Sequence, residues 1–328
     1  MTDYTYIHRT PDFAVEEDLA FGNFRLRVFP RSEAEQLRAL LARRHAFSRH
    51  ATNVDGYAKR ACELAEQVVL YRTKFSPATS VDAVRQKAML TESLITISRC
   101  FAERRETLQK SMCAVASVHS RADIWVAQRD QQVSRKSSKP HVSKPVKITR
   151  ADASRFATLG FGDLIASLEG NAFLWNRARA VADWLLLSRL DPDPGSAFIK
   201  TGTSAESLIA GKERGKVTKR LSVRLALLTA GNAAEFESIR KLTVDMYDLR
   251  CDFTHGGTRS GVSSTKKRML EAFDRLTALG LSSLAASGSH LSSPHDVDTW
   301  FKSMETATLN QRPFSGKRVK SVLALVGR

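Results

Sequence analysis

The sequence predicts a mainly α fold: two helical domains, with a short extended segment near the N-terminus. Three observations carry that prediction. Apolar residues recur at helical spacing through most of the 328 residues. Phe24, Leu26 and Val28 alternate with Arg25, Arg27 and Phe29, which reads as one short strand ending at Pro30. A basic stretch rich in proline and serine separates two helical regions. The division expected is a helical domain over 1–133, a linker over 134–150, a helical domain over 151–285 and a basic tail over 286–328.

The strand has no obvious partner nearby, so an extended arm packed on helices fits equally. Ser32 stands three residues before Glu35, a capping-box spacing ahead of Leu37, Leu40 and Leu41. Ala61, Leu64, Ala65, Val68, Val69 and Arg72 predict a helix over 57–75, closed by Pro77. A third helical pattern covers 81–133 without glycine or proline. At that length it is interrupted, or forms an antiparallel pair or coiled coil.

From 131 to 151 there is no acidic residue, and 134–147 holds two prolines, four serines and five Lys or Arg. A plain exposed linker is favoured over a phosphate-tracking arm. Helix resumes over 151–190, with a break near 160–163 or at Gly170. The run 191–195, Asp-Pro-Asp-Pro-Gly, is a loop. Further helices are expected over 197–210, 217–230, 234–252 and 264–279, and a short one over 297–308.

Lys and Arg number 51 and Asp and Glu 34, so the formal charge is 51 − 34 = +17. The excess is shared: 26 − 16 = +10 over 1–150 and 25 − 18 = +7 over 151–328. A field of that sign favours a polyanion, nucleic acid first. No run of eighteen apolar residues occurs and the first residues lack a signal-peptide layout, so no membrane association is expected and the expected compartment is the cytoplasm. Cys62, Cys100, Cys113 and Cys251 show no C-x-x-C spacing, so neither a disulfide nor a cysteine zinc site is expected. No metal and no cofactor is expected.

The stretch 247–257, Tyr-Asp-Leu-Arg-Cys-Asp-Phe-Thr-His-Gly-Gly, holds the candidate chemistry. Arg250 and His255 stand five positions apart where a helix runs out before two glycines. An R-x(4–6)-H pattern alone means little, because Arg38 with His45, Arg43 or Arg44 with His50, and Arg135 with His141 match it as well. Context separates them: the first three lie in and after an ordinary amphipathic helix, the last in the linker. Two other candidates fail. The run 211–217 is similar to a phosphate-binding loop, but its glycine spacing is one short and Val217 replaces the hydroxyl residue. His290 and His295, near Asp296 and Asp298, lack the spacing of a metal site.

Ahead of the motif come Ala-Glu-Ser-Leu-Ile at 205–209 and Lys-Arg-Leu-Ser-Val-Arg-Leu-Ala at 219–226. In this order the residues over about 155–285 resemble the HEPN superfamily, in its Apea-like branch. There a short helix with a glutamate precedes an R-L-S-x-R-x-A helix and then a helix ending in Y-D-x-R-x(4)-H-G. The resemblance leaves the N-terminal half unassigned. It implies a HEPN-type helical bundle that forms a homodimer, with two Arg–His motifs facing one another in a composite cleft. It further implies a metal-independent RNA endonuclease with RNA as partner, of a kind that acts in antiphage defence or toxin–antitoxin systems under a protein trigger or inhibitor. Cys251 departs from the small polar residue often found after the motif arginine in active members. The alternative is therefore a catalytically inactive HEPN module that binds nucleic acid or protein.

The residue chemistry supports the first reading. Cleavage of RNA without metal needs a base for the 2′-OH proton, an acid for the leaving 5′ oxygen and a cation for the phosphorane charge. His255 can be acid or base, and Arg250 is a permanent bidentate cation. Tyr247, on the same face as Arg250, is a candidate substrate contact. From the family layout, Glu206 is the candidate to orient Arg250, and Asp252 is grouped with them as a supporting residue. The competing reading of His255 is a helix-stop histidine bonded to a carbonyl. A third possibility is a helical scaffold assembled through the 81–133 segment.

Overall fold

The computed structural model describes residues 4–10, 13–36, 39, 65–66, 68–75, 81–101, 146–168, 171–191, 193–213, 215–254, 263–288, 290–309 and 323. These residues are mainly helical. Two compact units divide the chain: Met1–Ile95 with Ala114–Arg155, and Thr96–Cys113 with Phe156–Arg328.

In the first unit the expected strand is one of several. Strands β1 (Tyr4–Arg9), β3 (Leu19–Phe21), β4 (Phe24–Val28) and β5 (Val68–Phe75) form an antiparallel sheet in the order β1-β5-β4-β3. The partner missing from the sequence reading lies directly ahead of β4. Gly22, at φ 60, turns β3 into β4 through a two-residue Gly-Asn loop, where a side chain would be strained. The pairs Phe21–Phe24, Leu19–Leu26 and Leu26–Leu70 then bury one face of the sheet.

The helix expected over 57–75 is corrected at its end, since 68–75 is β5. Val68, Val69, Tyr71, Thr73 and Phe75 favour an extended chain. Pairing with β1 on one side and β4 on the other satisfies its backbone, and that tertiary pairing overrides the helical period. The earlier part of that expected helix lies almost wholly outside the described residues. Residues 31–36 are helical, starting one residue ahead of the Ser32 expected to cap them.

The linker also differs from its composition. Val146–Lys147 is a strand, β6, parallel to β2 (Phe13–Ala14), and Lys147 pairs with Glu16. Residues 134–145 lie outside the described set. Helix α1 (Val81–Cys100) accounts for the start of the 81–133 pattern, with a turn at Phe101; residues 102–133 are likewise outside it. No helix among the described residues is long and apolar enough to cross a membrane.

Chain order continues with α2 (Arg150–Thr158), α3 (Phe161–Ser167), α4 (Ala172–Leu190), α5 (Pro194–Ile209), α6 (Val217–Thr229), α7 (Ala233–Thr254), α8 (Ser264–Ser287) and α9 (Pro294–Leu309). Helix is interrupted in 151–190 near Gly160 and again before Asn171, where a break near 160–163 or at Gly170 is expected. Gly160 adopts a left-handed conformation before α3, and Asn171 caps α4 by accepting from the Leu174 N–H. Asp193 caps α5 the same way, with Pro194 in its first turn.

The second unit is built around α5, which packs on α4, α6, α7 and α8. Its buried positions, among them Ala197, Phe198, Thr201, Gly202, Ala205 and Leu208, form one broad face that takes up about half of the helix surface. Polar groups fix it in register. Ser204 Oγ donates to the Val181 carbonyl at 2.8 Å, and Thr201 Oγ1 to Asp274 at 2.6 Å. Asp274 and Glu271 in turn neutralise the fully buried Arg189. Helix α8 runs past Gly280, where the sequence reading stops it. A Cβ there would stand 2.8 Å from Leu208 and 3.1 Å from Leu225, so this glycine marks a close helix approach and not a helix end.

Candidate functional site

The candidate site lies where α5 and α7 run side by side. Helix α7 turns Ile239, Leu242, Thr243, Met246 and Phe253 inward at helical spacing. Tyr247 and Arg250 stand on the edge of that stripe, half-buried. Helix α5 offers Gly195, Phe198, Gly202 and Glu206 along the facing side. The contacts run in opposite chain directions: Phe253 against Gly195 and Phe198, Arg250 against Gly202, Tyr247 against Glu206. Phe198 and Phe253 stack with centroids 5.4 Å apart, which locks the end of α7 onto α5.

Three of the sequence-predicted residues come together here. The Tyr247 hydroxyl donates to Glu206 Oε1 at 2.7 Å. Arg250 Nη1 donates to the same hydroxyl oxygen at 3.2 Å, and Nη2 lies 3.2 Å from Glu206 Oε1. The guanidinium also stands over the Tyr247 ring, 5.0 Å from its centroid. Burial, and then the bond to Glu206, push the Tyr247 phenol up to about 12. At neutral pH it is therefore a proton donor that holds a carboxylate, and not a base. Its hydroxyl is shared between Glu206 and Arg250, so Tyr247 acts here as a bracket between them.

Asp252 is exposed and takes no part in this set. Cys251 is a free, half-buried thiol. The helix is described as far as Thr254, whose hydroxyl donates to the Arg250 carbonyl at 2.8 Å. His255, Gly256 and Gly257 lie outside the described residues.

The second patterned arginine does different work. Arg224 is buried. It donates to the Ile209 carbonyl at 2.9 Å and pairs with Asp298 at 2.7 Å, with its guanidinium over Phe301. Asp298 also accepts from the backbone N–H groups of Lys212 and Glu213, at 2.7 and 3.0 Å. Arg177 donates to the carbonyls of Ser207, Leu208 and Ala210, closing the C-terminal end of α5. Burial, and then the nearby Arg224, pull the Arg177 guanidinium down to about 10. In the run that is similar to a phosphate loop, the N–H groups of Lys212 and Glu213 are thus taken by a carboxylate. His290 and His295 are exposed. Among the described residues no group of three His, Cys, Asp or Glu could hold a metal ion.

Sequence reasoning missed Gly202 and Asp298. Gly202 had a legible sign, a lone glycine inside a helical pattern. Asp298 had a weaker one, its place between Val297 and Phe301 on a helix begun by Pro294. No family model, no curated protein and no solved structure matches the chain.

Proposed function

We propose that the chain is a metal-independent RNA endonuclease of HEPN type, working as a homodimer. The observation that carries this reading is the Arg250 guanidinium, held by Tyr247 and Glu206 in the closing turns of α7, five positions ahead of His255. Its side chain keeps 22% of its surface open, so it is fixed yet reachable by a phosphate. In the proposed reaction one His255 takes the 2′-OH proton as the 2′ oxygen attacks phosphorus. The P–O5′ bond breaks, and the His255 of a second copy protonates the leaving oxygen. The products are a 2′,3′-cyclic phosphate and a 5′-OH. Arg250 carries the charge that builds on the phosphorane oxygens. The net charge of +17 would draw the polyanion in. Antiphage defence or a toxin–antitoxin system, with a protein trigger or inhibitor, is the setting that the HEPN resemblance alone implies.

The test is incubation of the purified protein with RNA in EDTA. Discrete fragments ending in 2′,3′-cyclic phosphate are expected, and Arg250→Ala and His255→Ala should each abolish them while leaving thermal unfolding intact. Undiminished cleavage by either variant would sink this chemistry. A catalytically silent binding module is the second reading, favoured by the Glu206 ion pair that already satisfies part of the Arg250 charge. RNA retention without cleavage by the wild-type protein would select it.

A further inference from the structure

We infer that Gly202 is a positioning residue that sets where the Arg250 guanidinium stands; its catalytic consequence rests on the ribonuclease reading above. The stem of Arg250 crosses α5 at this glycine. A Cβ at position 202 would lie 3.0 Å from Arg250 Cδ and 3.2 Å from both Cγ and Nε. Contacts that short force a neighbour to give way, and the nearest atoms are the middle of the arginine stem, not its free end.

Helix propensity gives no other reason for the residue. Gly202 sits well inside a 16-residue helix, where glycine is the least favourable residue after proline. Its backbone is ordinary, with no positive φ to require a glycine. What the missing side chain provides is room for Arg250.

The same packing selects which edge of the guanidinium can meet an anion. Arg250 Nε is buried and has no hydrogen-bond partner among the described residues. The two Nη atoms each approach one protein partner, the Tyr247 hydroxyl and the Glu206 carboxylate. Each Nη carries two N–H groups, so each keeps one to offer. Arg250 therefore takes a phosphate through N–H groups that these partners leave over at its Nη end, and not through the buried Nε. A shift of a few tenths of an ångström at Cδ would tilt that end away from both brackets.

Gly195 supplies the control. It lies seven residues earlier on the same face, and a Cβ there would meet Phe253 at 3.0 Å instead of Arg250. Six proteins are compared by thermal melting: the wild type, Gly202→Ala and Gly195→Ala, each with Arg250 present and with Arg250→Ala. Gly202→Ala should lower the melting temperature when Arg250 is present and leave it unchanged or raise it when Arg250 is gone, because helix propensity then acts alone. Gly195→Ala should shift it equally in both backgrounds. An equal loss for Gly202→Ala in both backgrounds would overturn the inference. Should Gly202→Ala not fold alone, recovery in the double variant supports it and failure of both overturns it. In the cleavage assay Gly202→Ala should cut kcat about tenfold or more with a smaller change in KM. A rise in KM at unchanged kcat would also overturn it. Absence of cleavage by the wild-type protein would instead remove the ribonuclease reading, with the melting comparison still deciding the role of Gly202.

Discussion

Two arginine–carboxylate clusters meet helix α5, and they differ in how far water reaches them. At its C-terminal end Arg224 and Asp298 keep only 4% and 5% of their side-chain surface exposed. One turn earlier, Arg250 and Glu206 keep 22% and 29%. The residue types are the same and the purposes diverge. In the buried cluster every charge is matched to a backbone group or an opposite charge, and the arrangement ties α9 and the 211–213 turn to α5. In the open cluster the guanidinium is braced from two sides and still retains donors. Burial converts an ion pair into a structural fastening; partial exposure leaves it able to exchange partners.

The largest effect expected from this contrast is on stability. Asp298→Ala leaves Arg224 buried without its carboxylate and strips the Lys212 and Glu213 N–H groups of their acceptor. Breaking a buried pair from one side costs about 3 kcal/mol or more. Urea denaturation should show that loss, and a loss under about 1 kcal/mol would erase the distinction between the clusters.

The open cluster should respond the other way round. Glu206→Gln keeps the shape and removes the charge. Stability should change by less than about 1 kcal/mol, since the pair is part exposed and solvent screens it. RNA cleavage, under the proposed function, should fall clearly because Arg250 loses one of its two brackets. Destabilisation matching that of Asp298→Ala would mean that Arg250 is a fastening like Arg224, and the case for a reactive site would weaken with it.

How legible this was in the sequence depended on the range of the forces involved. The helices of the second unit were readable because caps and breakers are local: Asp193 before Pro194, Asn171 after a glycine, Gly160 at a turn. The strand at 68–75 was not, because nothing within eight residues states that β1 and β4 flank it. Gly280 misled for the same reason, since its close approach to Leu208 and Leu225 belongs to helices distant in sequence. At the site, Tyr247 and Arg250 could be placed on one face by spacing. The family layout put Glu206 with Arg250, but its bond to Tyr247 had no sign in the sequence. That Gly202 lies beneath Arg250 depends on how two helices cross, which no local pattern encodes.

The smallest effect sharpens the contrast through pH. The Tyr247 phenol stands at about 12 in the folded protein, raised first by burial and then by its bond to Glu206. An unfolded tyrosine titrates near 10. The fold therefore favours the neutral phenol. The stability this provides is fully present below the unfolded value and is lost as pH rises from about 10 through about 12. Tyr247→Phe cannot ionise, so it should lose less stability than the wild-type protein over that interval, with lysine and arginine titrations common to both. Phenolate absorbance should show a tyrosine with a late midpoint in the wild type, absent from the variant. Equal losses in the two proteins would mean that Tyr247 is solvated like any surface phenol, and Arg250 would then be braced by Glu206 alone.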